Sequence, residues 1–131
     1  MPGTRREPRW LTEDVVRALH DEQIALFGGS PGELHGGAVA AALARPLNAH
    51  AYDPSADLAT FAALYLVGLV NAHAFVDGNK RVGLAALLVF LDLNGKPLHA
   101  EPQQLYGFVL GIATGTVREE EAAQWIRARW R

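Results

Sequence analysis

The chain contains no cysteine, which removes disulfide frameworks, thiolate zinc sites and cysteine nucleophiles from consideration. It also lacks an excess of charge of one sign. Twelve Lys plus Arg against fourteen Asp plus Glu leave a formal net charge of −2, without the basic footprint expected of a nucleic-acid binder. No strand-like alternation, internal repeat, low-complexity tract or domain linker interrupts the sequence. The opening segment, Met1 to Trp10, carries Arg5, Arg6 and Arg9 but no apolar run of the kind a secretory signal requires, so a cytoplasmic protein is expected. What remains is 131 residues, half of them apolar, enough for one hydrophobic core without covalent staples. A single domain over residues 1–131 is expected, with residues 1–9 as a flexible N-terminal segment.

Charge is scarce in the middle of the chain. Leu58 to Val76 carries no charged side chain, close to the ~20 residues that cross a bilayer. The stretch holds Thr60, Tyr65, Asn71 and His73, and the following apolar run, Val82 to Leu91, is too short to span before Asp92. A buried helical hairpin accounts for both runs, since a helix apolar on every side belongs equally in a protein core.

Helical signals set the remaining elements. Leu11 to Phe27 reads as a first helix with Thr12 as N-cap, Glu13 and Asp14 in its first turn, and Val15, Val16, Leu19, Leu26 and Phe27 on one face. Gly28-Gly29-Ser30-Pro31-Gly32 stops it. Ala38 to Arg45 reads as a short helix ended by Pro46, and Pro54 or the residues just after it open a third helix running to about Ala72. A fourth helix is expected from Lys80 to Leu93, stopped by Asn94-Gly95. Lys96 to His99 is extended without an evident pairing partner. A fifth helix runs from Glu101-Pro102 to about Thr114. The last opens on a capping box, Thr116 to Glu119, and carries Ala122, Ile126 and Trp130 on one stripe. The fold class read from this pattern is all-α.

Between Asp57 and Asp92 the only charged residues are Asp77, Lys80 and Arg81. Charges set between two buried helices are costly unless paired or liganded, so their gathering at one break marks a candidate site. The segment reads His73-Ala74-Phe75-Val76-Asp77-Gly78-Asn79-Lys80-Arg81. A helix N-terminus offers unsatisfied N–H groups, and Gly78 lets the chain curl so that they face one anion, phosphate being the natural guest. Lys80 and Arg81 oppose the dipole of a helix start, a penalty that a bound anion reverses. Asp77 offers a carboxylate for Mg²⁺, and a neutral His73 can accept a proton from a hydroxyl attacking the phosphate. Phe75 is the expected buried anchor. Each residue also has an ordinary structural reading: Asp-Gly-Asn as a turn, Asn79 as a cap, His73 as a structural histidine. Together they fit phosphoryl or nucleotidyl transfer to a hydroxyl, in which positioning and charge neutralisation do most of the work.

The same segment resembles the signature of the Fic/Doc superfamily, and its Lys80-Arg81 ending is similar to the Doc (death-on-curing) branch of toxin–antitoxin toxins. Leu19-His20-Asp21, Phe27 to Gly32, Phe90 to Gly95 and Ala113-Thr114-Gly115 follow in family order, so the resemblance covers about Trp10 to Arg131. It implies an all-α helical bundle around a central helix–loop–helix. It further implies His73 as general base, Asp77 as Mg²⁺ ligand, Gly78, Asn79 and Lys80 as the anion-binding loop, and Arg81 as a phosphate contact. Fic enzymes that transfer AMP usually have Gly where Lys80 stands. The Doc branch implies ATP bound in the opposite sense, its γ-phosphate passing to a threonine of elongation factor Tu, and restraint by a Phd-like antitoxin segment lying over the active-site groove.

Three departures accompany the resemblance. Ala74 replaces a common proline, Leu34-His35 stands where relatives carry a polar residue followed by Asp, and the self-restraining Ser/Thr-x-x-x-Glu-Gly/Asn motif is absent. Other signals lead elsewhere. Gly28 to Gly32 matches a Gly-x-Ser-x-Gly nucleophile elbow, but Pro31 lacks the N–H an oxyanion hole needs there. His20, between Val16 and Ile24 at helical spacing, reads as structural; His50 and His99 show no ligand spacing, and no Walker loop is present. Arg127, Arg129 and Arg131 beside Trp125 and Trp130 read as a solvated C-terminal helix. Kinase activity is the first expectation, AMP transfer the second, and a non-catalytic anion- or partner-binding module the alternative from another class.

Overall fold

A computed structural model describes residues 7–131. Among them lie six helices and no strand: α1 (Glu13–Phe27), α2 (Ala38–Tyr52), α3 (Leu58–Ala72), α4 (Asn79–Leu93), α5 (Pro102–Thr114) and α6 (Glu119–Arg127). The all-α reading holds. Of the N-terminal segment 1–9, residues 1–6 lie outside the described residues; the backbone N–H and C=O of Arg9 are both bonded to the Asn94 amide, at 2.8 and 3.1 Å.

The uncharged stretch forms the axle of the bundle. Every residue of α3 from Phe61 to Val70 is buried, and the helix packs against α2, α4, α5 and α6, most extensively against α4. No helix among the described residues is long and apolar enough to cross a membrane; neighbouring helices cover α3 in place of lipid. Gly83 allows the close α3–α4 approach, since a β-carbon there would lie 2.8 Å from Val70 Cγ2.

Several helix ends differ from the sequence expectation, each for a physical reason. α2 continues through Pro46 to Tyr52. Proline removes the bond to the Ala42 carbonyl, yet Ala42, Leu43 and Pro46 are buried, and Gly68 lets α3 come against Ala42, so tertiary packing carries the helix past its breaker. Pro54 or the residues just after it were expected to open α3; it starts at Leu58, because the Asp57 carboxylate accepts the Thr60 N–H at 3.0 Å and caps it. On α1, Thr12 is the N-cap as expected. Val16 and His20 are buried there, whereas Leu26 and Phe27, at 66 % and 64 % exposed, leave the core.

The capping carboxylate of α6 is Glu121, which accepts the Arg118 N–H at 3.0 Å; Thr116 instead pairs with Thr114. The extended segment near Leu98 does have a partner. It is the chain's own end: His99 N–H donates to the Arg129 carbonyl and Arg131 N–H to that of Pro97, forming an isolated antiparallel bridge between Leu98 and Trp130.

Candidate active site

The α3–α4 connection carries the whole charged segment. α3 ends on His73, whose backbone is left-handed at φ 49°, ψ 41°. A histidine where helices commonly take glycine is strained, and such strain gathers at functional positions. Its consequence is that an exposed imidazole stands at the rim of the loop instead of continuing the buried helix. The chain then dips inward. Ala74 and Phe75 are buried, which makes Phe75 the anchor expected of it.

The loop is stitched from inside. Asn79 Oδ1 accepts the Phe75 N–H at 3.1 Å and Asn79 Nδ2 donates to the Phe75 carbonyl at 3.0 Å. Its side chain is therefore engaged within the protein, and the part Asn79 can offer an anion is its backbone N–H at the first position of α4. Gly78, left-handed at φ 78°, is the N-cap and supplies no side-chain bond to the helix. Thr12 and Asp57 close the starts of α1 and α3 with side-chain oxygens. The start of α4 has no such oxygen, no acidic residue in its first turn, and Lys80 exposed there.

Asp77 is held in a defined orientation beside this helix start. Its Oδ1 accepts the Gly78 N–H at 2.9 Å and its Oδ2 the Ser30 N–H at 3.3 Å. Each carboxylate oxygen retains a lone pair. The glycine loop after α1 thus packs against Asp77. A β-carbon on Gly29 would fall 2.8 Å from Asp77 Oδ2. Beyond it, Leu34 N–H donates to the Ala74 carbonyl at 2.7 Å and Val76 N–H to that of Gly32 at 3.0 Å, an antiparallel bridge between Glu33 and Phe75. Thus Gly28–Gly32, excluded as a nucleophile elbow, is a structural neighbour of Asp77.

His73, Asp77, Gly78, Asn79 and Lys80 line one cleft of about 170 Å³, closed by Val70, Asn71, Val76 and Ala113. That is below the ~300–1,000 Å³ of pockets that enclose a drug-sized ligand. The cleft suits a phosphate group and leaves a larger ligand partly outside. Arg81 does not line it: its guanidinium donates to the Gly28 carbonyl at 2.9 Å and lies 5.6 Å from the centre of the Phe27 ring. It couples α4 to the glycine loop. A larger hollow, about 820 Å³ between the start of α3 and the end of α4, holds none of these residues.

One residue was undervalued by sequence reasoning. His20 is buried behind the loop, its Nε2 2.7 Å from the Asp77 carbonyl and its ring stacked on Phe75 at 3.8 Å. Its helical spacing to Val16 predicts burial; only the fold reveals what it faces.

The chain's likeness to known proteins centres on this hairpin. The model of the Fic/DOC family matches residues 10–91. The chain is 34 % identical over 119 residues to a protein named Protein kinase doc from Escherichia phage P1, covering 91 % of this chain and 94 % of that one. It is 41 % identical over 90 residues to a protein named Toxin Doc from Mycolicibacterium smegmatis, covering 68 % and 66 %. An all-helical bundle, a motif hairpin at its centre and a relative matched along nearly its full length establish that the chain belongs to the Fic/DOC family, in its Doc branch.

Proposed function

We propose that this protein is the toxin of a toxin–antitoxin pair and transfers the γ-phosphate of ATP to a protein hydroxyl, a threonine of elongation factor Tu being the expected acceptor. The observation that carries the reading is the shared cleft, where an uncapped helix start, Asp77, Lys80 and His73 converge. Kinship with proteins named Protein kinase doc and Toxin Doc supports the kinase form of the reaction and the toxin role. A target in translation entails a cytoplasmic protein.

The donor set fits Mg²⁺ bound together with a nucleotide. Among the described residues no group of three His, Cys, Asp or Glu gathers to cage a metal, and Mg²⁺ is typically held by one or two carboxylates plus substrate phosphates. Asp77 supplies that carboxylate, pre-oriented by Ser30 and Gly78. When bound, the ion neutralises charge on the phosphates. Asn79 and Lys80 present backbone N–H groups, and Lys80 an ammonium, to the transferring phosphoryl group, while Gly78, whose own N–H is bonded to Asp77, gives the turn that exposes them. His73 takes the proton of the acceptor hydroxyl as its oxygen bonds to the γ-phosphorus, while the bond from that phosphorus to the β–γ bridging oxygen breaks and ADP departs. Arg81 holds the glycine loop in place through one guanidinium N–H on the Gly28 carbonyl, and its remaining N–H groups are the ones it can offer a phosphate.

Restraint is assigned to an antitoxin segment lying over the site. Leu34 and Val76, at 54 % and 48 % exposed, border the motif loop together with the exposed Phe27 beside Arg81, an apolar rim suited to cover by a partner. The deciding experiment incubates the protein with Mg²⁺, elongation factor Tu and ATP labelled at the γ or the α position. Label from γ alone on a threonine, lost in His73→Ala, is expected. Label from α would instead mean AMP transfer, and ATP binding with no label on any protein would leave a binding module.

A further inference from the structure

We propose that His20 is a positioning residue, which sets the direction of the Asp77–Gly78 peptide and thereby turns the Gly78 N–H onto the Asp77 carboxylate that lines the cleft. The imidazole lies on α1, in the core, and reaches across to the motif loop. Its Nε2 is 2.7 Å from the Asp77 carbonyl oxygen. A carbonyl only accepts, so Nε2 carries the proton and the tautomer is fixed. The peptide is trans, and in a trans peptide the C=O and N–H point to opposite sides. Drawing the Asp77 carbonyl inward turns the Gly78 N–H outward, where it meets Asp77 Oδ1 at 2.9 Å on the cleft side.

Two further contacts make the arrangement rigid. The imidazole stacks nearly parallel on Phe75, with 11° between planes, and Phe75 is itself held at both backbone groups by Asn79. A β-carbon on Gly78 would lie 3.4 Å from His20 Nε2, so the ring also forms the wall behind the left-handed turn. Without the inward bond, the 77–78 peptide keeps only the Gly78–Asp77 contact, and a turn of the peptide brings its carbonyl, an anion-repelling group, toward the cleft. His20 need touch neither phosphate nor metal. The assignment of what binds in the cleft rests on the function proposed above; the peptide orientation does not.

Two substitutions separate the bond from the ring. His20→Gln keeps an N–H at about the reach of Nε2 and loses the stack, whereas His20→Phe keeps a ring on Phe75 and loses the donor. The Gly78 amide is followed by NMR and hydrogen exchange in the ligand-free protein, and affinity for Mg²⁺ with a non-hydrolysable ATP analogue by calorimetry. His20→Phe should shift the Gly78 amide resonance and speed its exchange about tenfold, the worth of one hydrogen bond, and weaken nucleotide binding by a similar factor. His20→Gln should recover most of both. If His20→Phe does not fold, His20→Asn, too short to reach the Asp77 carbonyl, replaces it with the same expectation. An unchanged Gly78 amide in the donor-free variant, or a His20→Gln indistinguishable from it, overturns the proposal. A Gly78 amide that responds as expected in a protein that binds no nucleotide upholds the role of His20 and removes the nucleotide reading instead.

Discussion

Asn79→Ala tests whether Asn79 serves the loop or the ligand. The side chain makes two hydrogen bonds to one residue, accepting at 3.1 Å and donating at 3.0 Å, in a partly buried setting. At about 0.5–1.5 kcal/mol each, their loss costs ~1–3 kcal/mol, more if the Phe75 N–H is left dry. Alanine returns up to ~0.6 kcal/mol through helix propensity, and less at a first helical position. A net loss of ~1–2 kcal/mol follows, equal to a fall in melting temperature of roughly 4–8 °C for a domain of this size. Urea denaturation measures the stability, and exchange at the Phe75 amide locates the change. Lys80→Ala is the contrasting variant: Lys80 is exposed at a helix start, so its removal should leave stability within ~0.5 kcal/mol of the parent while weakening nucleotide binding. Asn79→Ala within ~0.3 kcal/mol of the parent, with Phe75 exchange unchanged, would refute the stitch as the role of Asn79.

Gly29→Ala puts a β-carbon 2.8 Å from Asp77 Oδ2 on a backbone at φ 115°, so either the Asp77 carboxylate turns aside or the glycine loop moves, and both part Asp77 from the Ser30 N–H. The Mg²⁺ concentration for half-maximal activity should rise several-fold for a stability loss of ~1–3 kcal/mol; an unchanged Mg²⁺ titration would show that the loop does not orient Asp77. Acid stability tests the far end of α3. Burial pushes the Asp57 carboxyl up, but hydrogen bonds from Arg127 and Thr60 outweigh it and hold the group below its ordinary range. Because the folded-state value is lowered, this stabilisation is complete above the ordinary carboxylate value of ~3.9 and is lost as pH falls below it. Arg127→Gln should flatten that loss, by no more than ~1 kcal/mol for so exposed a pair, and an identical acid profile in thermal melts would remove the pair from the account.

Much of the candidate site was legible in the sequence because its cues are local. Three charges isolated in an apolar stretch, a glycine before a helix and an anchoring aromatic need only neighbouring residues to be read, and the structure brings His73, Asp77, Gly78, Asn79 and Lys80 to one cleft. Contacts distant in sequence were not legible. The Ser30 N–H on Asp77 joins positions 47 apart, and the link from Arg81 to Gly28 joins positions 53 apart. No spacing rule reaches that far, so the bond from Arg81 to the Gly28 carbonyl was not legible beside the phosphate contact that the family resemblance implies for it.

Local residues alone determined that this is an all-helical chain with one charged break in a buried hairpin, since side-chain periodicity, caps and breakers act within a few residues. Tertiary structure decided the rest. Packing against α3 carried α2 through Pro46, the chain's end paired with Leu98, and His20 was drawn beneath the motif loop. In each case burial or a hydrogen bond from a distant segment decided what cues acting within a few residues could not.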